Sequence, residues 1–145
     1  MSLTYTEAKR ALASGEIDLH TGGDDIRAIA VMTNTTADTE EDVTTVSGFT
    51  TFDECDDTTY ARITMANEVV ASDNANDRAE FDADDLSFTF TGDATRQIAA
   101  ILIIKHVTND TDSVPLFYID SAGFPFTATG SVTIQWNAEG IWQLT

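Results

Sequence analysis

The feature that most restricts this chain is a period of two. In Leu86-Ser87-Phe88-Thr89-Phe90 apolar and polar residues alternate strictly, which puts three large side chains on one face of an extended strand and two hydroxyls on the other. Brief segments of the same kind recur at Arg78 to Asp82, Pro115 to Asp120, Phe124 to Thr127, Ser131 to Trp136 and Ile141 to Leu144. Turn-forming residues separate many such segments at spacings of roughly 8 to 12 residues, the pattern of a sandwich or barrel. Ile98 to Val107 is the most hydrophobic stretch and reads as the central strand; Ile26 to Thr33 reads as a second buried one. Tyr60 to Met65 and Glu68 to Ala71 look like a strand pair joined at Ala66-Asn67, and Arg78 to Asp82 and Leu86 to Phe90 flank a tight acidic turn. The connection from Val43 to Phe52 is either a short helix or irregular. Hydrophobic residues make up 42% of the chain and favour Ile, Val, Phe and Thr over Leu, a mix suited to a pleated surface.

One segment departs from this pattern. Thr4 with Glu7 forms a capping box, Ala8 to Ala13 are mostly strong helix formers, and Gly15 supplies a stop. Leu3, Ala8, Ala11 and Leu12 make an apolar stripe able to lie on a sheet. A length of 145 residues suits one core, with no internal repeat. The expected fold is therefore mainly β: a single antiparallel β-sandwich or open barrel over residues 1–145, with a short N-terminal α-helix at about 4–14 and strands from about 26 to 144.

Charge narrows the partners. Against 25 Asp and Glu stand 7 Lys and Arg, a formal net charge of -18. Nucleic acid is a poor partner, because phosphate binding needs cations. An acidic, lysine-poor, Thr-rich and Asp-rich surface suits molar salt, where repulsion is screened within about 3 Å, so a halophilic host is expected. No stretch approaches the 18 or so apolar residues of a membrane span, and residues 1–19 lack a long apolar signal core; no membrane partner and synthesis in the host cytoplasm are expected.

Little in the sequence carries chemistry. The histidines, His20 and His106, stand beside a turn and at a strand end, with nothing marking a catalytic triad. P-loop, dinucleotide and His-Glu-x-x-His motifs are missing. Carboxylates are so common that no pair nominates itself as a glycosidase dyad. Cys55, the sole cysteine, lies among Asp53, Glu54, Asp56 and Asp57, which raise a thiol's pKa, and reads as a small residue buried or left reduced. Asp82, Asp84 and Asp85, with Asp77 nearby, offer hard oxygen ligands for a divalent cation such as Ca²⁺, without the EF-hand spacing; a solvated acidic turn is the rival reading. No other cofactor is expected. Phe117, Tyr118, Phe124, Phe126, Trp136 and Trp142 suit a carbohydrate platform or, at alternating spacing, a core or subunit interface.

Several segments together carry a resemblance: Gly15 to Leu19, Ala28 to Thr33, Asp53 to Asp56, Tyr60 to Arg62, Asn76 to Asp85, His106 to Asp112, and Val132 to Ile141. Through them the chain resembles a family of small structural proteins encoded among the head and tail genes of tailed bacteriophages and archaeal tailed viruses. It departs from the family pattern at Thr59, where a glycine usually precedes the tyrosine. The resemblance implies a virion component without catalytic residues, decorating or cementing the head shell or forming a turret on it. The alternative is a tail, neck or baseplate protein, including a receptor- or glycan-binding module. The partners implied are the major capsid protein or tail and neck proteins, and further copies of the chain in a homo-oligomer, a trimer being the form envisaged. With its acidic composition the chain looks like a haloarchaeal virus protein. The attachment surface is expected at the helix, with Tyr5, Lys9 and Arg10, and at the C-terminal edge, with Trp136, Trp142 and Leu144.

Overall fold

A computed structural model describes residues 2–145. In chain order the described residues form β1 (Ser2–Thr4), α1 (Thr6–Ser14), β2 (Asp25–Met32), β3 (Ile63–Thr64), β4 (Val69–Asp73), β5 (Arg78–Asp82), β6 (Leu86–Phe90), β7 (Ile98–His106), β8 (Val114–Ile119), β9 (Gly130–Ile134) and β10 (Trp142–Leu144). The undecided 43–52 connection holds one 3-10 turn, Val46–Gly48. All pairings are antiparallel. A main sheet runs β1-β8-β7-β2-β3, a second β10-β5-β4 and a third β6-β9. None closes on itself, so the fold is mainly β and sandwich-like rather than a barrel.

The strand predicted to be central is central. From Ala100 to Ile104 every side chain of β7 is fully buried, so both faces are covered, which explains why this segment is continuously apolar; its neighbours β2 and β8 are buried almost as continuously. β6 shows the opposite case: Leu86, Phe88 and Phe90 are buried, and Ser87 and Thr89 are exposed. Ring packing ties the layers together. Phe117 of β8 meets Phe81 of β5 at 6.1 Å and stacks on Trp142 of β10 at 5.1 Å, and Tyr60 stacks on Phe88 and Phe90 at 6.0 and 6.5 Å.

Four local expectations are corrected. The capping box does not form, because residues 2–4 are spent as β1, with Thr4 opposite Phe117, and the helix starts at Thr6. Its entry is held by tertiary bonds instead: the Tyr5 N–H donates to the Leu116 carbonyl at 3.1 Å and the Thr6 N–H to the Glu41 carbonyl at 2.8 Å. The Gly15 stop holds: at φ 73° it lets its own N–H reach Leu12 and that of Glu16 reach Ala11, closing a Schellman motif. Residues 60–65 and 68–71 do not pair with each other; β3 joins β2 and β4 joins β5. Likewise 82–85 is no hairpin turn but a crossing from the second sheet to the third, since β6 pairs with β9. At 124–127 there is a single bridge, Phe126 to Ile98, rather than a strand. For β1, β3 and β6 a partner distant in sequence supplies the backbone bonds, while β4 takes the next strand, β5.

The loops are fixed by carboxylates. Asp57, buried, accepts hydrogen bonds from the N–H groups of Thr59, Thr91, Gly92 and Asp93 and from the hydroxyls of Thr59 and Thr91. Asp93 accepts in turn from the Thr58 N–H at 2.9 Å, and Asp56 from the Thr95 N–H at 2.9 Å and hydroxyl at 2.6 Å. Asp53, also buried, holds Arg96 and the Asn34 N–H. Burial by itself would raise the Asp57 pKa; the donors of Thr59, Thr91 and Gly92 outweigh it and hold the carboxyl well below the usual range.

Two outcomes follow. Ile103→Ala, at a fully buried site of β7, is expected to cost about 2–5 kcal/mol in urea unfolding. Because the folded pKa of Asp57 is depressed, its stabilisation is fully present above the unfolded value of about 3.9 and is lost as pH falls below it. Thermal melts of wild type and Asp57→Asn should therefore differ by a constant gap above pH about 5 and converge on acidification below about 4; a gap independent of pH would refute the role of the charged carboxylate.

Candidate interaction surface

The second sheet projects beyond the core. Strand alternation and the registers of β5 with β4 and β10 place Val70, Ser72, Ala79, Phe81, Trp142 and Leu144 on one face. The middle of that face is covered: Phe81 is fully buried, and Trp142 stacks on Phe117 while its indole N–H donates to the Thr4 hydroxyl at 2.9 Å. The position of β10 depends on Gly140. Its φ is 86°, a Cβ there would lie 2.8 Å from the Phe81 carbonyl oxygen, and the next residue, Ile141, donates its N–H to that oxygen at 2.7 Å. Past Phe81 the apolar row continues uncovered, with Val70 40% and Leu144 59% exposed.

Opposite this overhang stand Leu12 and Ala13 of α1 and the following Ile17 and Leu19, and the two walls enclose an open groove of about 440 Å³. Lys9 stands on its rim. The other six cations, Arg10, Arg27, Arg62, Arg78, Arg96 and Lys105, are all in ion pairs, so among the described residues Lys9 alone has none. On a chain of net charge -18 the one Lys or Arg among the described residues without an ion pair thus borders the apolar groove, together with Asp18 and His20.

The residues expected at the attachment surface divide accordingly. Lys9, Trp142 and Leu144 converge on the groove, so the helix and the C-terminal edge, expected as two places, form one. Trp136 lies with Trp142 on an adjoining cleft of about 430 Å³. Tyr5 is fully buried, its hydroxyl donating to the Ala37 carbonyl at 2.5 Å, and takes no part in the surface. Arg10 is held between Glu7 and Glu16, each at 2.6 Å. Leu12, Ile17, Leu19, Val70 and Ala79 were not anticipated; the adjacent Val69 and Val70, which break the alternation of an exposed strand, were the available signal.

Asp82, Asp84 and Asp85 are not brought together. The Asp82 carboxylate accepts from the Ala83 N–H, that of Asp84 from the Asn67 amide at 2.7 Å, and that of Asp85 from the Trp136 N–H at 3.0 Å. The Trp136 indole donates to the Asp84 carbonyl at 3.0 Å, so this turn serves as the seat of Trp136. Among the described residues a different trio converges, Asp73, Glu80 and Glu139, with oxygens within 4.8 Å of one another. Arg78 sits among them, 3.1 Å from Asp73 and 2.7 Å from Glu80 and paired with Glu139. The guanidinium supplies there the positive charge a metal would bring.

The reactive residue types are placed as follows. His106 Nδ1 lies 3.2 Å from Ser113 Oγ, but Ser113 is fully buried and donates to the Asn109 carbonyl at 2.7 Å. Cys55 is buried, and burial, reinforced by the charges of Asp57, Asp56 and Glu54, pushes its thiol pKa up. Among the described residues no helix is long and apolar enough to cross a membrane. No family model, no curated protein and no solved structure matches the chain.

An apolar fluorescent dye should bind the groove saturably. Val70→Lys with Leu144→Lys should weaken that binding by about tenfold or more, equivalent to roughly 1.4 kcal/mol, while unfolding stability stays within about 0.5 kcal/mol per surface substitution; unchanged dye binding would show that the groove is not the site.

Proposed function

We propose that this protein is a structural subunit of a tailed-virus particle, attached to the outside of the head shell as a decoration, cement or turret protein, and that it acts by contact rather than by catalysis. The observation that carries the reading is the open apolar groove between α1 and the second sheet with Lys9 on its rim. A free surface of this kind, rimmed by polar residues, marks an interaction site. The family resemblance supports the viral setting, and a net charge of -18 suits a surface facing brine, where salt screens its self-repulsion. A shell protein of this type needs modest contacts repeated by symmetry more than it needs a deep pocket.

The glycan-binding alternative draws less support. Trp142 has one ring face stacked on Phe117, and the indole N–H groups of both tryptophans are spent on internal acceptors.

The test is fractionation of purified particles of the encoding virus into heads and tails in molar salt, followed by mass spectrometry and re-binding of the recombinant chain. The expected result is recovery with heads and saturable re-binding to depleted heads, weakened at least about tenfold by Leu144→Lys. Recovery with tails alone would overturn the head assignment, and absence from particles would overturn the viral reading.

A further inference from the structure

We infer that a second copy of this chain pairs antiparallel with the open edge of β4, joining the two β10-β5-β4 sheets into one continuous sheet across a twofold axis. The inference rests on the proposed function only in taking this side of the molecule as a contact surface.

The edge is open by topology, because β4 has a neighbour on one side only. Two flanking hydrogen bonds show which of its groups face outward. The Phe81 carbonyl of β5, opposite Val70, turns toward Ile141 and away from β4, and the Glu68 carbonyl turns away from β5 to accept the Thr21 N–H at 3.0 Å. Backbone groups alternate sides along a strand, so Val70 and Ser72 present N–H and C=O on the same open side as Glu68. Among the described residues none is shown bonding them there. Unsatisfied groups in a row of this kind are a template for strand addition.

Past Glu68, whose carbonyl Thr21 covers, the usual guards of an edge are missing from the strand. Residues 69–73 contain no Lys or Pro, and the β4–β5 register runs without a bulge, whereas β1, β3 and β10 are only two or three residues long. The strand is exposed from Val69 to Ser72. Of the four exposed large hydrophobic residues among those described, Val69 (46%), Val70 and Leu144 all belong to this sheet. Apolar surface and backbone valence are therefore left over at one place.

Charge selects the occupant. Two chains of -18 each repel over most approaches, and residues 69–72 carry no charge. The one acid of the strand, Asp73, is paired within its own chain to Arg78 at 3.1 Å. Antiparallel pairing about Ala71 sets Val70 against Ser72 and Val69 against Asp73 across the twofold, so no like charges are opposed. Val70 and Ser72 then exchange both N–H···O=C bonds across the axis. The arrangement is self-complementary, as an isologous contact requires, and it extends the apolar row that forms the groove wall.

The test is sedimentation equilibrium in molar salt with hydrogen exchange at single-amide resolution. The wild type should be a dimer, with protection of the Val70 and Ser72 amides rising with protein concentration. Val70→Pro removes an outward donor that β5 does not use and is tolerated on an edge; it and Ser72→Lys should each weaken association at least tenfold with native circular dichroism. Should either variant unfold, the concentration-dependent protection in the wild type still decides. A monomer at every concentration, a trimer, or a dimer in which those amides exchange freely would overturn the inference. Particle binding is scored separately on Ser72→Lys, whose residue lies outside the groove lining: retained binding leaves the virion reading intact, and a wild-type dimer that binds no particle sinks that reading alone.

Discussion

The seating of β7 between β2 and β8 is the constraint from which the rest follows. A strand whose side chains are buried on both faces from Ala100 to Ile104 must be covered on both sides as well as paired on both edges. Its partner β2 ends at Met32, and β7 begins only at Ile98. The intervening chain comes back to the main sheet once as β3 and then leaves it again, and it is this second excursion that forms β4, β5 and β6. The second sheet meets the main sheet through Phe81 on Phe117 of β8, and the third through Phe88 and Phe90 on Tyr60, whose hydroxyl accepts the Ala30 N–H of β2.

An excursion of that length needs loops that hold their shape, and here the acidic composition has a second use. Asp53, Asp56, Asp57 and Asp93 each gather backbone N–H or side-chain donors from distant loops. A carboxylate does this better than a neutral acceptor, since charge-assisted bonds are roughly twice as strong. Part of the net charge therefore works inside the structure, and the remainder coats its surface. The same competition consumes nearly all the cations, which is why Lys9, on the groove rim without an ion pair, stands out.

The second sheet is longer than the part of it that is seated on the main sheet. Phe81 and Trp142 reach the main sheet through Phe117, and beyond them Val70, Ala79 and Leu144 face the open groove. Apolar area left over in this way is either a liability or a contact site. Its coincidence with an open strand edge in the same sheet gives the contact reading its physical basis.

The period of two, the unbroken apolar run at 98–107 and the glycine after the helix were enough to state a mainly β fold with one short N-terminal helix and a central β7, because these signals are local: alternation sets which way side chains point, whatever pairs with the strand. Lys9, Trp142 and Leu144 were named from the sequence for the attachment surface, and the fold brings the three to one groove. What only the tertiary structure decided was which segments meet. Thr4 became β1 instead of a cap, 60–65 and 68–71 went to different sheets, and Asp84 and Asp85 became the seat of Trp136 instead of a ligand set. Backbone hydrogen bonds are nearly the same for every pair of strands, so the choice among partners rests on burial summed over the whole core, and no short stretch of sequence contains that sum.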